Sequence, residues 1–203
     1  GEVQPHHRLM LSLHLEHIDD LNAKLERLNG EIEGYVAPFD QAEELQRLDE
    51  IPGVGLQVAQ GILAELGTDM SRFPNEAHAV SWAGLAPGKN ESAGHNRSAK
   101  TPKGNAHLKA LLVQAAHTVA RSNDNYLGAQ FRRLAARRGK KRAAVAVARS
   151  ILVIAYHLLR DGTRYVELGV DYFDKRNQQY LEQHLVKRLE RLGHKVTLEP
   201  QAA

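Results

Sequence analysis

Residues 81–109, SWAGLAPGKNESAGHNRSAKTPKGNAHLK, collect the side chains of this chain best suited to chemistry. Ser92 stands between Glu91 and Ala93-Gly94, with Lys89, Arg97, Lys100 and Lys103 close in sequence. A serine that attacks a phosphodiester needs an exposed, pliant backbone. It also needs cations that neutralise the charge developing on the phosphoryl oxygens. The Gly-, Asn-, Ser- and Lys-rich loop over 86–105 offers both. Loop serines more often cap a turn or stay solvated, so residue types alone leave that reading open.

The elements around the loop must position it. Residues 75–84 read as a short helix with Asn75 as N-cap and Glu76 in its first turn. Lys103-Gly104-Asn105 opens a second helix over 106–122, with Leu108, Leu111, Leu112, Ala115, Ala116 and Val119 on one face. His107 and Lys109 at its start can point back toward a phosphate held by the loop; His107 is either a proton shuttle or an ordinary surface histidine. Trp82 is expected as a core anchor beneath the loop rather than a platform for stacked bases. A basic helix over 129–138 should turn Phe131, Leu134 and Ala135 inward and Arg132, Arg133, Arg137 and Arg138 outward. Gly139-Lys140-Lys141-Arg142 is expected to interrupt it and to contact a phosphate backbone, with an affinity that falls steeply with salt. The apolar run 143–159 should be the buried central helix, about 17 residues long and short for a membrane span. Residues 171–192 read as one amphipathic tail helix with Leu181, Leu185, Leu189 and Leu192 on its apolar side. Tyr165, Tyr172 and Phe173 are expected to dock it.

Upstream of the loop, Leu45, Leu48, Ile51-Pro52-Gly53-Val54-Gly55, Ala59 and Ile62 fit a helix-hairpin-helix over 45–66. Gly53 and Gly55 allow the reversal, Val54 tucks between the helices and Ala59 lets them approach. Backbone N–H groups of such a hairpin hold a phosphate without reading bases. The alternative is a hairpin with a structural role alone, and Asp49 and Glu50 favour it mildly. Residues 1–40 carry heptads, with Leu11, Ile18, Leu25 and Ile32 at one position and His14, Leu21, Leu28 and Tyr35 three residues later. This stripe serves either a coiled coil, in a dimer or tetramer, or packing on the chain's own core. Gly30, Gly34 and Pro38 are expected to break the helix before a run over 41–49. His6, His7, His14 and His17 lack metal-ligand spacing, and no metal site is assigned.

Composition narrows the field. Aromatic residues make up 5 % of 203 and Ala and Leu abound, which favours an all-α fold. With no cysteine there is neither a disulfide framework nor a Cys-based zinc site. No signal peptide or apolar run of membrane length stands out, and a soluble cytoplasmic protein, associated with the nucleoid, is expected. The net charge of +3 hides a segregation: 15 of the 27 Lys and Arg, but only two of the 24 acids, lie between Lys89 and Arg160. Charge gathered this way marks a polyanion-facing surface, with nucleic acid the leading partner; a solvated basic face is the alternative.

W-A-G-L-x-P, then N-E-S-A-G, then K-G-N ahead of an Ala/Leu-rich helix resembles the serine-bearing transposase domain of the DEDD insertion-sequence transposases. This IS110 family is related to the pilin-gene invertases and includes bridge-RNA-guided recombinases. The resemblance covers about Leu45 to Lys109. Its serine motif falls on Glu91-Ser92-Ala93-Gly94, with Glu91 in place of a first serine, Ala93 in place of a glycine, and the following K-x-G step one residue short. Ser92 is the implied nucleophile and Ser98 a second candidate. The resemblance implies a C-terminal piece of a transposase, with a coiled-coil arm over 1–40 and a helical domain over 41–200. It implies a covalent phosphoserine–DNA link, bound by Lys89, Arg97, Lys100, Lys103, Asn105, Lys109 and the basic residues of 129–142. An N-terminal RuvC-like domain, absent here, would hold Mg²⁺, so no cofactor is expected in this chain, and a structured guide RNA is a further partner in some members. A non-catalytic helix-hairpin-helix module that binds DNA and dimerises, or a coiled-coil scaffold, would explain the same elements without the serine.

Overall fold

A computed structural model describes residues 4–36, 42–88, 91–92, 95–96 and 100–198. The chain falls into two compact units, residues 1–46 and 47–203.

The first unit is dominated by α1 (Pro5–Val36). The helix runs through Gly30 and Gly34, where the sequence predicts a break, and ends at Val36 ahead of the next helix; Pro38 lies outside the described residues. A glycine costs a helix only about 1 kcal/mol relative to alanine, too little to stop a segment of this length. Both heptad positions are exposed along α1, with Leu11 57 % and Leu28 56 % accessible. Lys24 pairs with Asp20 at 2.6 Å, an i,i+4 contact on the helix surface. The unit also takes in the start of α2 (Ala42–Asp49).

The regular elements among the described residues of the second unit are helices, apart from two strands of two residues. After α2 ends, the chain turns through Gly53 (φ +83°) into α3 (Leu56–Leu66), and a 3₁₀ turn follows at Met70–Arg72. Then come α4 (Glu76–Trp82), strands β1 (Glu91–Ser92) and β2 (His95–Asn96), and helices α5 (Ala106–Val119) and α6 (Tyr126–Arg138). The chain closes with α7 (Lys140–Asp161), α8 (Tyr172–Arg176) and α9 (Gln178–Arg191).

Helix α7 is the axle of this unit. Ala144, Ala148, Ile151, Ala155 and Leu158 recur at three- and four-residue spacing and are buried, as are Val147, Leu152 and Tyr156. α4, α5 and α6 pack around it. They contribute Ala79 and Val80, Leu108, Leu112 and Ala116, and Leu127 and Phe131. Burying one leucine-sized side chain contributes about 1.5–3 kcal/mol, so this contact set outweighs any local preference. The Tyr156 hydroxyl donates to the Phe73 carbonyl at 3.1 Å, which satisfies the polar end of a ring that is 1 % exposed. By length and composition alone α7 could cross a membrane, being longer than the 17 residues expected from sequence. Its apolar side is instead the core of this unit.

Three expectations need correction here. Gly139, at φ +82°, separates α6 from α7, and Lys140–Arg142 form the first turn of α7 rather than an interruption. The tail is two helices, because the chain leaves helical geometry at Asn177 (φ −126°, ψ 34°). Leu185 and Leu189 of α9 are exposed. Trp82 is 40 % exposed and tilts against Phe73 with ring centroids 5.7 Å apart, so it is no core anchor. The expected docking of the tail aromatics is present: Tyr126 stacks on Phe173 at 5.2 Å and meets Tyr172 edge-on at 5.1 Å.

Candidate nucleic-acid interface

The ends of the serine loop are fastened to each other. Gly84 adopts φ +69° after α4, and Gly104 lies directly against it. A Cβ on Gly104 would stand 2.3 Å from the Gly84 nitrogen and 2.6 Å from the Trp82 carbonyl oxygen. Only a glycine pair lets the two backbones approach this closely. The Asn105 N–H then donates to the Trp82 carbonyl at 3.0 Å. Lys109, one turn into α5, donates from Nζ to the Gly84 carbonyl at 2.9 Å and to Thr101 Oγ1 at 2.7 Å. Closing a loop of about 20 residues costs on the order of 3 kcal/mol in chain entropy. Charge-assisted bonds of about 1.5–3 kcal/mol each offset it.

Asn105 is the N-cap of α5, its Oδ1 accepting from the Leu108 N–H at 3.0 Å, while its Nδ2 donates to Glu65 on α3. Its side chain is therefore engaged at both ends within the fold. The reversal before α3 is tied down as well. Gly53 packs against Val119 and the Ala115 carbonyl of α5, and Val54 and Ala59 are buried. Gly55, the N-cap of α3, has no capping side chain. Glu50 in the same turn accepts from Arg164 Nη1 at 2.9 Å and from the Tyr165 N–H at 3.2 Å, so its charge is partnered.

Between the fastened ends the chain makes a minimal antiparallel ladder, β1 with β2, in the register Glu91↔Asn96 and Ser92↔His95. Ser92 thus occupies the last paired position of β1. Its cross-strand partner is His95, a residue that its type and sequence position alone do not single out. The signal for the pairing is the Ala-Gly dipeptide between the two polar pairs, a spacing that suits a hairpin turn. Lys89, Arg97 and Ser98 lie outside the described residues.

The remaining cations divide sharply by what they touch. Arg132 Nη1 donates to the Ser122 carbonyl at 2.6 Å and to Asn123 Oδ1 at 3.1 Å, bracing the turn that follows α5. Arg133 lies 5.5 Å above the Phe173 ring. Arg137 and Arg138 are exposed in the last turn of α6, and Lys103 and His107 are exposed beside the clasp.

Lys100, Lys141 and Arg142 meet at one place. They line a groove of about 900 Å³ whose one wall is Leu85, Pro87, Lys100 and Thr101 from the two flanks of the serine loop. The other wall is the first three turns of α7, where Arg149 joins Lys141 and Arg142 above Val145 and Ala146. In sequence Arg149 is inconspicuous, because it sits inside an apolar run. Its spacing of seven residues from Arg142 puts it on the same helical face, and that is the signal that could reveal it. Arg149 also borders a second cavity of about 410 Å³, lined by Tyr126, His157 and Tyr165. Burial raises the Tyr165 phenol well above its ordinary range, helped by its hydrogen bond to Glu167 at 2.9 Å, so it stays protonated.

Comparison with known proteins adds an independent line. Residues 45–132 match the family described as Transposase IS116/IS110/IS902. The chain is 31 % identical over 119 residues to the insertion element IS110 uncharacterized 43.6 kDa protein of Streptomyces coelicolor, over 58 % of this chain and 29 % of that protein. It is 31 % identical over 122 residues to the transposase for insertion sequence element IS1111A of Coxiella burnetii, covering 58 % and 33 %. A putative transposase of Sinorhizobium fredii is 27 % identical over 162 residues, covering 77 % and 41 %. The chain thus spans roughly a third of the length of the curated relatives it matches. The family match runs from the last turns of α2 through the clasp, the serine hairpin and α5 into α6. It stops before the α7 wall of the groove.

Proposed function

Because residues 45–132 match the transposase domain of the IS116/IS110/IS902 family, we propose that this chain acts on DNA in transposition, with Ser92 as the nucleophile. The observation that carries the reading is the clasped hairpin. It holds Ser92 at the end of a ladder whose anchored flanks border a cationic groove. In the step we assign, Ser92 Oγ attacks a DNA phosphorus as the bond from that phosphorus to one sugar oxygen breaks. The hydroxyl proton passes to His95, the residue opposite Ser92 in register and of a type that takes up protons near neutral pH. The departing sugar oxygen takes a proton from solvent. Attack of another strand's hydroxyl on the phosphoserine reverses the step and joins new ends.

Cations at Lys100, Lys103, Lys141 and Arg142, with Lys89 and Arg97, would neutralise phosphate charge. The hairpin ahead of α3 would add backbone N–H contacts to a phosphate. Among the described residues no group of three or more His, Asp or Glu is placed to hold a metal ion. Mg²⁺ would be held by an acid-bearing RuvC-like domain outside these residues. Partnership with a guide RNA and a place beside the nucleoid belong to the same reading. The exposed heptad stripe of α1 supports self-association as a coiled coil, which sedimentation over a range of concentrations would test.

The decisive experiment supplies nicked suicide DNA and Mg²⁺ to the protein joined to its RuvC-like part, and looks for a denaturant-resistant protein–DNA adduct. Ser92→Ala should abolish the adduct and leave DNA binding intact. His95→Gln should slow adduct formation by ~10²-fold or more. An adduct that persists in Ser92→Ala would move the chemistry elsewhere. No adduct in either protein, despite tight binding, would favour a binding module.

A further inference from the structure

We infer that the groove between the serine loop and α7 is a track for the sugar-phosphate backbone of the DNA strand that Ser92 attacks, with Arg149 as its far contact. The inference rests on the transposition reading and adds a binding site to it. Three observations carry it. First, the walls come from both flanks of the serine loop and from a core helix, so the groove is fixed relative to the anchored ends of the hairpin. Second, the chemistry is layered: Leu85, Pro87, Val145 and Ala146 supply apolar surface, while Lys100, Lys141, Arg142 and Arg149 supply positive charge. Sugars and phosphates present the matching sequence. No acidic residue lines the groove among the described residues.

Third, the dimensions suit a strand. Lys141 and Arg149 are eight residues apart on one helix, about 12 Å at 1.5 Å per residue. Successive phosphates on one strand are separated by more than their axial rise of about 3.4 Å, and the cationic wall reaches from one phosphate to its neighbours. A compact anion would need far less. Held to phosphates by these charges, the strand would be positioned without its sequence being read.

The test measures binding of the 203-residue chain to a fluorescent DNA strand and its duplex between 50 and 200 mM salt. Arg149→Gln and Lys141→Gln should each lower the slope of log affinity against log salt by about 0.7–0.9, one phosphate contact each. Arg149→Lys should keep the slope. Lys187→Gln, on α9 and away from the groove, should leave it unchanged. Because Arg149 and Lys141 are exposed, circular dichroism should show an unaltered fold. Wild-type slopes in both Gln variants would overturn the groove while leaving Ser92 to be judged by the adduct assay. A wild type without salt-sensitive affinity would overturn the groove equally. A slope change confined to an RNA of the same sequence would overturn its assignment to DNA.

Discussion

At the α5–α6 corner Arg132 braces the turn, its guanidinium within 2.6 Å of the Ser122 carbonyl, and Arg133 covers an aromatic ring. At the groove, Lys100, Lys141 and Arg149 are exposed along a trough built from two distant segments. In sequence these residues form one basic block, and nothing in the block separates them. The fold does so by setting some of the cations next to carbonyl oxygens of the turns that follow α4 and α5. Lys109 belongs with the corner: its ammonium is committed to the Gly84 carbonyl and Thr101. Density of positive charge therefore marks a cationic region but overstates how many of its side chains line the groove. Substitutions at the clasp and corner should be read first in stability, whereas substitutions at the groove should be read first in binding.

The largest effect on that division is expected from Gly104→Ala. The added methyl would meet backbone atoms of Gly84 and Trp82 well inside contact distance. Backbone cannot swing aside as a flexible side chain does. A loss of about 3 kcal/mol is expected from overpacking of this kind, seen as a lower urea midpoint at unchanged slope. Binding would fall with the population of folded protein. A variant of wild-type stability would show that the two motifs are not held against each other. Next comes Lys109→Met, which keeps the aliphatic stem and removes the ammonium. The Gly84 carbonyl loses a charged donor in a half-buried setting, at a cost of about 1–3 kcal/mol. Its salt slope for DNA should stay near wild type, unlike that of Arg149→Gln. A lowered slope with unchanged stability would move Lys109 to the groove side of the comparison.

Much of this arrangement is legible in the sequence because local chemistry sets it. Asn75 and Asn105 are readable as caps because an Asn ahead of a helix accepts from the N–H three residues on, as each does here. The core face of α7 follows from its apolar periodicity. The end of α6 at Gly139 is legible, but the start of α7 at Lys140 is less so, because a cluster of lysines carries no start signal, and the break at Asn177 rests on one asparagine, a weak sign. Gly30 and Gly34 mislead for the opposite reason: a Cβ added at either would meet open space among the described residues, and a long helix tolerates their entropy. Trp82 misleads because size argues for burial, whereas its place at the end of a seven-residue helix leaves much of it outside. The meeting of Gly84 with Gly104 is hidden as a contact, although both glycines stand in the motifs that carry the resemblance. Sequence spacing shows which glycines are present, not which backbones they bring together. Arg149 is hidden by the apolar residues flanking it.

The smallest expected effect, and the closest test of the division, is that of Arg132→Gln. Helical periodicity groups Arg132 with Arg133, Arg137 and Arg138 as an outward-facing contact. In the fold its guanidinium donates to two carbonyls and one side-chain oxygen past the end of α5. These bonds brace the turn between α5 and α6, and a hydrogen bond from a charged donor typically contributes about 1.5–3 kcal/mol, less where it is exposed. Glutamine is shorter and uncharged and cannot bridge all three acceptors, so a loss of about 1 kcal/mol is expected. Thermal and urea unfolding would both register it, and the salt slope for DNA should not move. If the slope falls by a full phosphate contact while stability holds, Arg132 faces nucleic acid in the complex. The corner and the groove would then be one continuous surface.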